Sequence, residues 1–201
     1  MIDNNKAIEI HPLEPFLPEG ARLLMLGSFP PPRSRWSMDF YYPNFQNDMW
    51  RILGIVFFRD KNYFLTEDGK RFQEEKIRAF LMEKGIALSD TAMKVIRHKD
   101  NASDKFLEVV ESVDLEVILQ RLSLCRAIVT TGQKATDTLI ALTGTDQPPV
   151  GGFSAFYFQG REIRLYRMPS SSRAYPKPVE EKALYYQKMM EDIGLLNKGK
   201  E

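Results

Sequence analysis

The sequence predicts an α/β fold, a three-layer αβα sandwich whose central sheet is mainly parallel and four-stranded. Three observations lead there. Four short apolar runs alternate with stretches of helical apolar spacing, the order that winds helices onto both faces of a parallel sheet. Each run stops in small or hydroxylated residues, which form turns readily. A chain of 201 residues with 43% hydrophobic content has enough apolar surface for one full core and is too short for two ordinary enzyme domains. One domain over residues 1–201, with its core at about 20–196, is therefore expected.

In chain order, the first run, residues 22–26, reads as a buried strand ending in Gly27-Ser28-Phe29-Pro30. Helical spacing follows at 47–53 and at 69–84. The second strand, 85–88, ends in Ser89-Asp90-Thr91, and a helix is expected over 114–122. Residues 125–129 run into Thr130-Thr131-Gly132 and then into a helix over 133–142. The fourth run, 161–168, alternates in character, as a strand with one wetter face does, and ends in Pro169-Ser170-Ser171-Ser172. A closing helix is expected over 178–196, with Pro178 at its start and Glu180 and Glu181 in its first turn, where the helix dipole favours acids. Open parallel sheets bind ligands at the carboxyl ends of their strands, so these four endings place any site on one rim.

Composition narrows the chemistry. Residues 1–18 are polar, and no segment reaches the roughly 18 apolar residues that span a bilayer, so a soluble, cytoplasmic, monomeric protein with no membrane partner is expected. Cys125 is the lone cysteine, and His11 and His98 are the only imidazoles. That excludes an internal disulfide and leaves no cluster for zinc, so neither metal nor cofactor is expected. Neither histidine has an evident partner. Because 28 Lys and Arg face 27 Asp and Glu, for a net charge of +1, nucleic-acid binding would need a local basic face. Arg33 with Arg35, the Lys94, Arg97, His98, Lys99 group, and Arg161, Arg164, Arg167, Arg173 and Lys177 are the candidates, each also readable as solvated surface.

Leu26-Gly27-Ser28-Phe29-Pro30, a ten-residue loop, and then Tyr41-Tyr42 through Asn47-Asp48-Met49-Trp50 resemble the first motif of the deoxyinosine (hypoxanthine) DNA glycosylases of the uracil-DNA glycosylase superfamily, G-S-x-P followed by Y-Y and N-x-F-W. Three more segments agree in the same order. Gly85-Ile86-Ala87-Leu88-Ser89-Asp90 is similar to the family's G-x-x-L-x-D strand. The stretch from Ile128 to Gly132 with Lys134-Ala135 is similar to its strand and N-G-x-x-A turn, and Met168-Pro169-Ser170-Ser171-Ser172-Arg173-Ala174 to its L-P-S-T-S-P-A loop. The chain departs from the pattern at Pro31-Pro32, Phe45, Met49, Thr131 (for asparagine) and Arg173 (for proline), positions that bear on substrate preference more than on fold.

The resemblance implies a monofunctional, nucleoid-associated hydrolase of base excision repair. It would excise a deaminated base, hypoxanthine and/or uracil, from single- or double-stranded damaged DNA. N-glycosidic bonds break through an oxocarbenium-like sugar, so the protein must extract the nucleotide, hold the base, place a water and face the developing charge with fixed dipoles. Amides, backbone N–H groups and aromatic faces suffice, which suits a chain with two histidines. Asn47, at the family's N-x-F-W asparagine, is the first catalytic candidate and otherwise a helix N-cap; Asn44 is a second amide in the same turn. Asp90 would activate water, or else cap a helix.

Gly27, Ser28 and Pro30 would let the chain pass close to the base, with Tyr42 and Phe29 as stacking faces or, alternatively, core. Ser34, Ser170, Ser171 and Ser172 would contact phosphates, Arg173 would enter the gap left by the extruded nucleotide, and Trp50 belongs to the core. A DNA-binding module of the same fold without catalysis stays open. A Rossmann nucleotide enzyme and a serine hydrolase are disfavoured, because G-x-G-x-x-G, G-x-x-x-x-G-K-[ST] and G-x-S-x-G are absent.

Overall fold

The computed structural model describes residues 7–99 and 103–197. Its elements in order are β1 (Ile8–Ile10), β2 (Leu23–Gly27), α1 (Met49–Phe58), α2 (Glu74–Lys84), β3 (Ile86–Asp90), β4 (Ala92–Arg97), β5 (Leu107–Ser112), α3 (Leu115–Arg121), β6 (Ala127–Thr130), α4 (Gln133–Thr143), β7 (Phe153–Phe158), β8 (Arg161–Arg167) and α5 (Val179–Asp192). Among the described residues no helix is long and apolar enough to cross a membrane.

Strand β2 sets the frame. Side chains alternate across a strand, and here both sets are apolar, so both faces must be covered. Leu23 and Met25 pack with Ile86, Leu88 and Val129 against Trp50 and Ile52 of α1, Ile77 and Leu81 of α2, and Tyr186 and Met190 of α5. Leu24 and Leu26 pack with Ala87, Ile128 and Leu165 against Ile118 and Leu119 of α3 and Leu139 of α4. The result is the predicted helix-sheet-helix layering.

The four predicted runs are the parallel core of a sheet ordered β3-β2-β6-β8-β7. That sheet has five strands rather than the four expected, and it is mixed: β7 lies antiparallel to β8 at the edge. The hairpin joining them turns through Gln159 and Gly160 at φ 50° and 75°, the left-handed pair a two-residue type I′ connection requires. Strand β7 escapes a search for buried runs because every second residue, Phe153 and Tyr157 among them, faces outward.

A second sheet, antiparallel β1-β4-β5, was not expected at all. Its strands read as polar because one face carries charge, while Ala92, Val95 and Leu107 close over Phe29 in a small core of their own.

Helix α1 begins two residues later than its spacing suggests and runs on to Phe58, which packs on Tyr63, Phe64 and Phe80. Helix α2 begins only at Glu74. Residues 65–73 form a turn closed by the Leu65–Phe72 bridge and by Gln73 N–H donating to Phe64 O at 2.8 Å. Helix α5 ends at Asp192, where Leu195 and Leu196 N–H both donate to Met190 O. Helix α3 is fixed at its start by Asp114, whose carboxylate accepts from Val117 N–H at 3.1 Å. Asp114→Ala is expected to cost about 1 kcal/mol and to lower Tm by roughly 2–4 °C, as read by thermal melting, with no change in the folded spectrum.

Candidate active site

The carboxyl ends of β2, β3, β6 and β8 border a cavity of about 530 Å³, completed by the loop that carries Tyr41 to Asn47. Of the sequence-predicted residues, Gly27, Ser28, Phe29, Pro30, Tyr42, Asn44, Asn47, Asp90, Ser170, Ser171, Ser172 and Arg173 line it. Ser34 does not. It is exposed on the 3-10 turn Arg33–Arg35, and of that turn Arg35 reaches the cavity wall.

Gly27 is required by contact. A methyl group there would lie 2.5 Å from Asp90 Oδ1 and 3.6 Å from the Tyr42 hydroxyl. Asp90 ends β3, and the chain passes through Thr91 directly into β4, so its carboxylate caps no helix. Instead Oδ2 lies 2.8 Å from His11 Nε2, which gives one of the two histidines a partner the sequence does not reveal. The other, His98, meets Glu108 at 2.7 Å.

Beyond the cavity's other wall, Ser28 Oγ donates to Asp104 Oδ2 at 2.7 Å. Burial pushes the Asp104 carboxyl above its ordinary range, the Ser28 bond opposes this, and the nearby Asp90 charge adds to it. Asp104 was missed because it sits in a charged stretch that carries no motif.

Asn47 lines the cavity one residue before Asp48, which occupies the N-cap position of α1. The Asn47 Oδ1 accepts from Met49 N–H at 2.9 Å at the start of α1, and its amide nitrogen makes no hydrogen bond among the described residues. Asn44 Oδ1 likewise takes Gln46 N–H at 3.0 Å. The Asn47 backbone bridges Ser172, and Asp48 N–H donates to Ser171 O at 2.8 Å, which ties the amide to the serine loop.

Tyr42 stands at φ 49° and hydrogen-bonds Thr131 Oγ1 at 3.0 Å, so the threonine that replaces the resembled family's asparagine holds the ring in place. The Phe29 ring packs edge-on to His11 and into the small core, leaving 8% of the residue exposed. Trp50 is fully buried.

Behind the serine loop Asp48, 6% exposed, faces three cations: Arg173 Nε at 3.0 Å, Lys182 Nζ at 3.5 Å and Arg51 Nη1 at 3.9 Å. Lys182 is wholly buried and also donates to Ser172 O at 2.8 Å. Burial lowers the pKa of Lys182 and of Arg51; the Arg173 charge lowers both further, while Asp48 raises both. The sequence held a signal for this. Lys182 falls on the stripe formed by Val179, Ala183, Tyr186, Met189 and Met190, where a cation needs a buried partner.

Most of the basic candidates are otherwise engaged. Lys94 pairs with Glu111 and Arg97 with Glu9, Arg161 donates to the last carbonyls of α3, and Lys177 meets Glu181. Arg167 donates to Gln133 and Pro148.

No family model and no curated protein sequence matches the chain. The fold, by contrast, recurs among solved structures. One similar structure, determined by solution NMR, is a Methanosarcina acetivorans protein with a provisional assignment as a uracil DNA glycosylase. It is 20% identical, with a TM-score of 0.63 over 94% of this chain and 99% of that one. At that identity the likeness is one of fold.

Two tests follow from the geometry. Asp48→Ala leaves Lys182 and Arg51 as buried, uncompensated cations and is expected to cost about 3–5 kcal/mol in urea unfolding, whereas Arg173→Ala, which removes a half-exposed side chain and leaves Asp48 its other two cations, should cost at most about 1 kcal/mol. Burial also raises the hydroxyl pKa values of Tyr41, Tyr42 and Tyr186, so the unfolded chain ionises first. Their contribution is complete below about pH 10 and is lost as pH rises beyond it, with a slope of about 1.4 kcal/mol per pH unit for each tyrosine. Tyr42→Phe should reduce that slope by one such increment in alkaline denaturation.

Proposed function

We propose that the cavity accepts a nucleobase swung out of DNA and that the protein hydrolyses its N-glycosidic bond, removing a deaminated base, hypoxanthine or uracil, and leaving the sugar-phosphate strand intact. The observation that carries this reading is convergence. Gly27, Ser28, the Asn47 amide, the Asp90 carboxylate and the serine loop surround one cavity of about 530 Å³, within the size range of small-molecule sites. The fold shared with the Methanosarcina protein adds support.

In this reading the backbone beside Gly27 and Ser28 lies along the base, and Tyr42 supplies an aromatic face. The Asn47 Oδ1 bond to Met49 N–H leaves the amide nitrogen to donate to the departing base as charge develops. Asp90 takes the proton of the attacking water. The serine loop offers hydroxyls to phosphates, and three cations around a single Asp48 leave positive charge beneath it. A module that binds DNA without turnover is the second reading, favoured by the commitment of the Asn47 oxygen to the start of α1.

End-labelled oligonucleotides carrying inosine, uracil, xanthine or a thymine mismatch decide between the two readings. Scission of at least one substrate, appearing only after alkali, is expected. Asn47→Ala should lower turnover by about 100-fold or more while leaving DNA affinity within about threefold. Intact strands in every lane, with DNA still bound, would establish the binding module instead.

A further inference from the structure

The small antiparallel sheet places a residue against Asp90, which lines the cavity. Strand β1 pairs with β4, and His11 N–H extends that pairing by donating to Met93 O at 2.8 Å. The imidazole behind it is 2% exposed, lies edge-on to Phe29 with centroids 5.3 Å apart, and sits 6.1 Å from the Tyr41 ring. Its Nδ1 is flanked by Leu13 N–H at 3.1 Å and Leu13 O at 2.9 Å, so it has a partner whether bare or protonated. With Nδ1 accepting from Leu13 N–H, Nε2 carries the proton that Asp90 Oδ2 accepts at 2.8 Å.

That is the sole hydrogen bond to the Asp90 carboxylate among the described residues. The Tyr41 and Tyr42 hydroxyls and the Asp104 carboxyl also lie within its electrostatic reach, and Arg35, Lys105 and Arg173 line the same cavity. Oδ1 is left beside Gly27, at the cavity.

We infer that His11 is a positioning residue for Asp90, holding one carboxylate oxygen so that the other faces the water that attacks the sugar. The inference rests on the glycosylase reading above. In the step it serves, the water oxygen bonds to C1′ while the C1′–N bond breaks and its electron pair leaves with the base. Asp90 Oδ1 takes one water proton and later gives it up to solvent, and the base takes up a proton, so one water is consumed per base released. His11 keeps its Nε2 proton throughout. A donor beside a carboxylate favours the charged form, and its removal makes that form harder to reach.

The test compares wild type with His11→Leu, which removes the donor, and His11→Gln, whose amide reaches the same position. His11→Leu should lower kcat by about 10–100-fold, less than the loss of the base itself, with KM within about threefold and the acid limb of the pH–rate profile moved to higher pH. His11→Gln should recover most of kcat. Carbon-13 NMR of the Asp90 carboxyl, recorded without DNA, should show its titration moved to higher pH in His11→Leu and close to wild type in His11→Gln. Should His11→Leu not fold, His11→Asn, polar but too short to reach Asp90, replaces it in both measurements. An unchanged titration overturns the inference, as does a His11→Gln variant as impaired as His11→Leu. A wild type that turns over no lesion overturns the glycosylase reading instead, and the carboxyl titration still decides whether His11 governs Asp90.

Discussion

The carboxylate of Asp48 is the joint on which the site's geometry depends. It stands at the start of α1, and the cations that surround it come from α1 itself, from the serine loop and from α5. An isolated charge in a protein interior is strongly disfavoured, so these three parts of the chain are held in register by mutual need. The Asn47–Ser172 bridge runs through the same joint. Consequently the Asn47 amide and the hydroxyl-rich loop keep their spacing even though more than a hundred residues separate them in the chain.

The cavity is electrostatically divided. Two carboxyl groups, Asp90 beside Gly27 and Asp104 bonded to Ser28, line one part of it. The wall behind the serine loop is cationic, with three positive charges to one negative, in a chain whose net charge is +1.

The parallel core and all five helices were legible in the sequence, because buried strands are continuous apolar runs and surface helices carry a stripe. What escaped was structure whose signal is split between neighbours. Strand β7 shows alternate aromatic residues to solvent, and β1, β4 and β5 are half-charged strands that make sense only once Phe29 is known to need a cover. The site divides in the same way. Residues in turns that follow strands could be placed on one rim from position alone. Partners drawn from distant segments could not, since nothing local to His11 points to Asp90, 79 residues on, and nothing local to Ser28 points to Asp104. Lys182 is the exception, because its place on an apolar stripe announces a buried counter-charge before any partner is known.

Tyr42 sits in the left-handed region of backbone space, where glycine or asparagine would rest more comfortably and a bulky side chain costs on the order of 1 kcal/mol or more. The Thr131 hydrogen bond and the edge-on contact with Trp50 hold the ring there against that preference. Two demands therefore meet at this position in opposite directions. A smaller side chain would relax the loop, whereas the tyrosine keeps a flat face at the cavity wall and the strain with it.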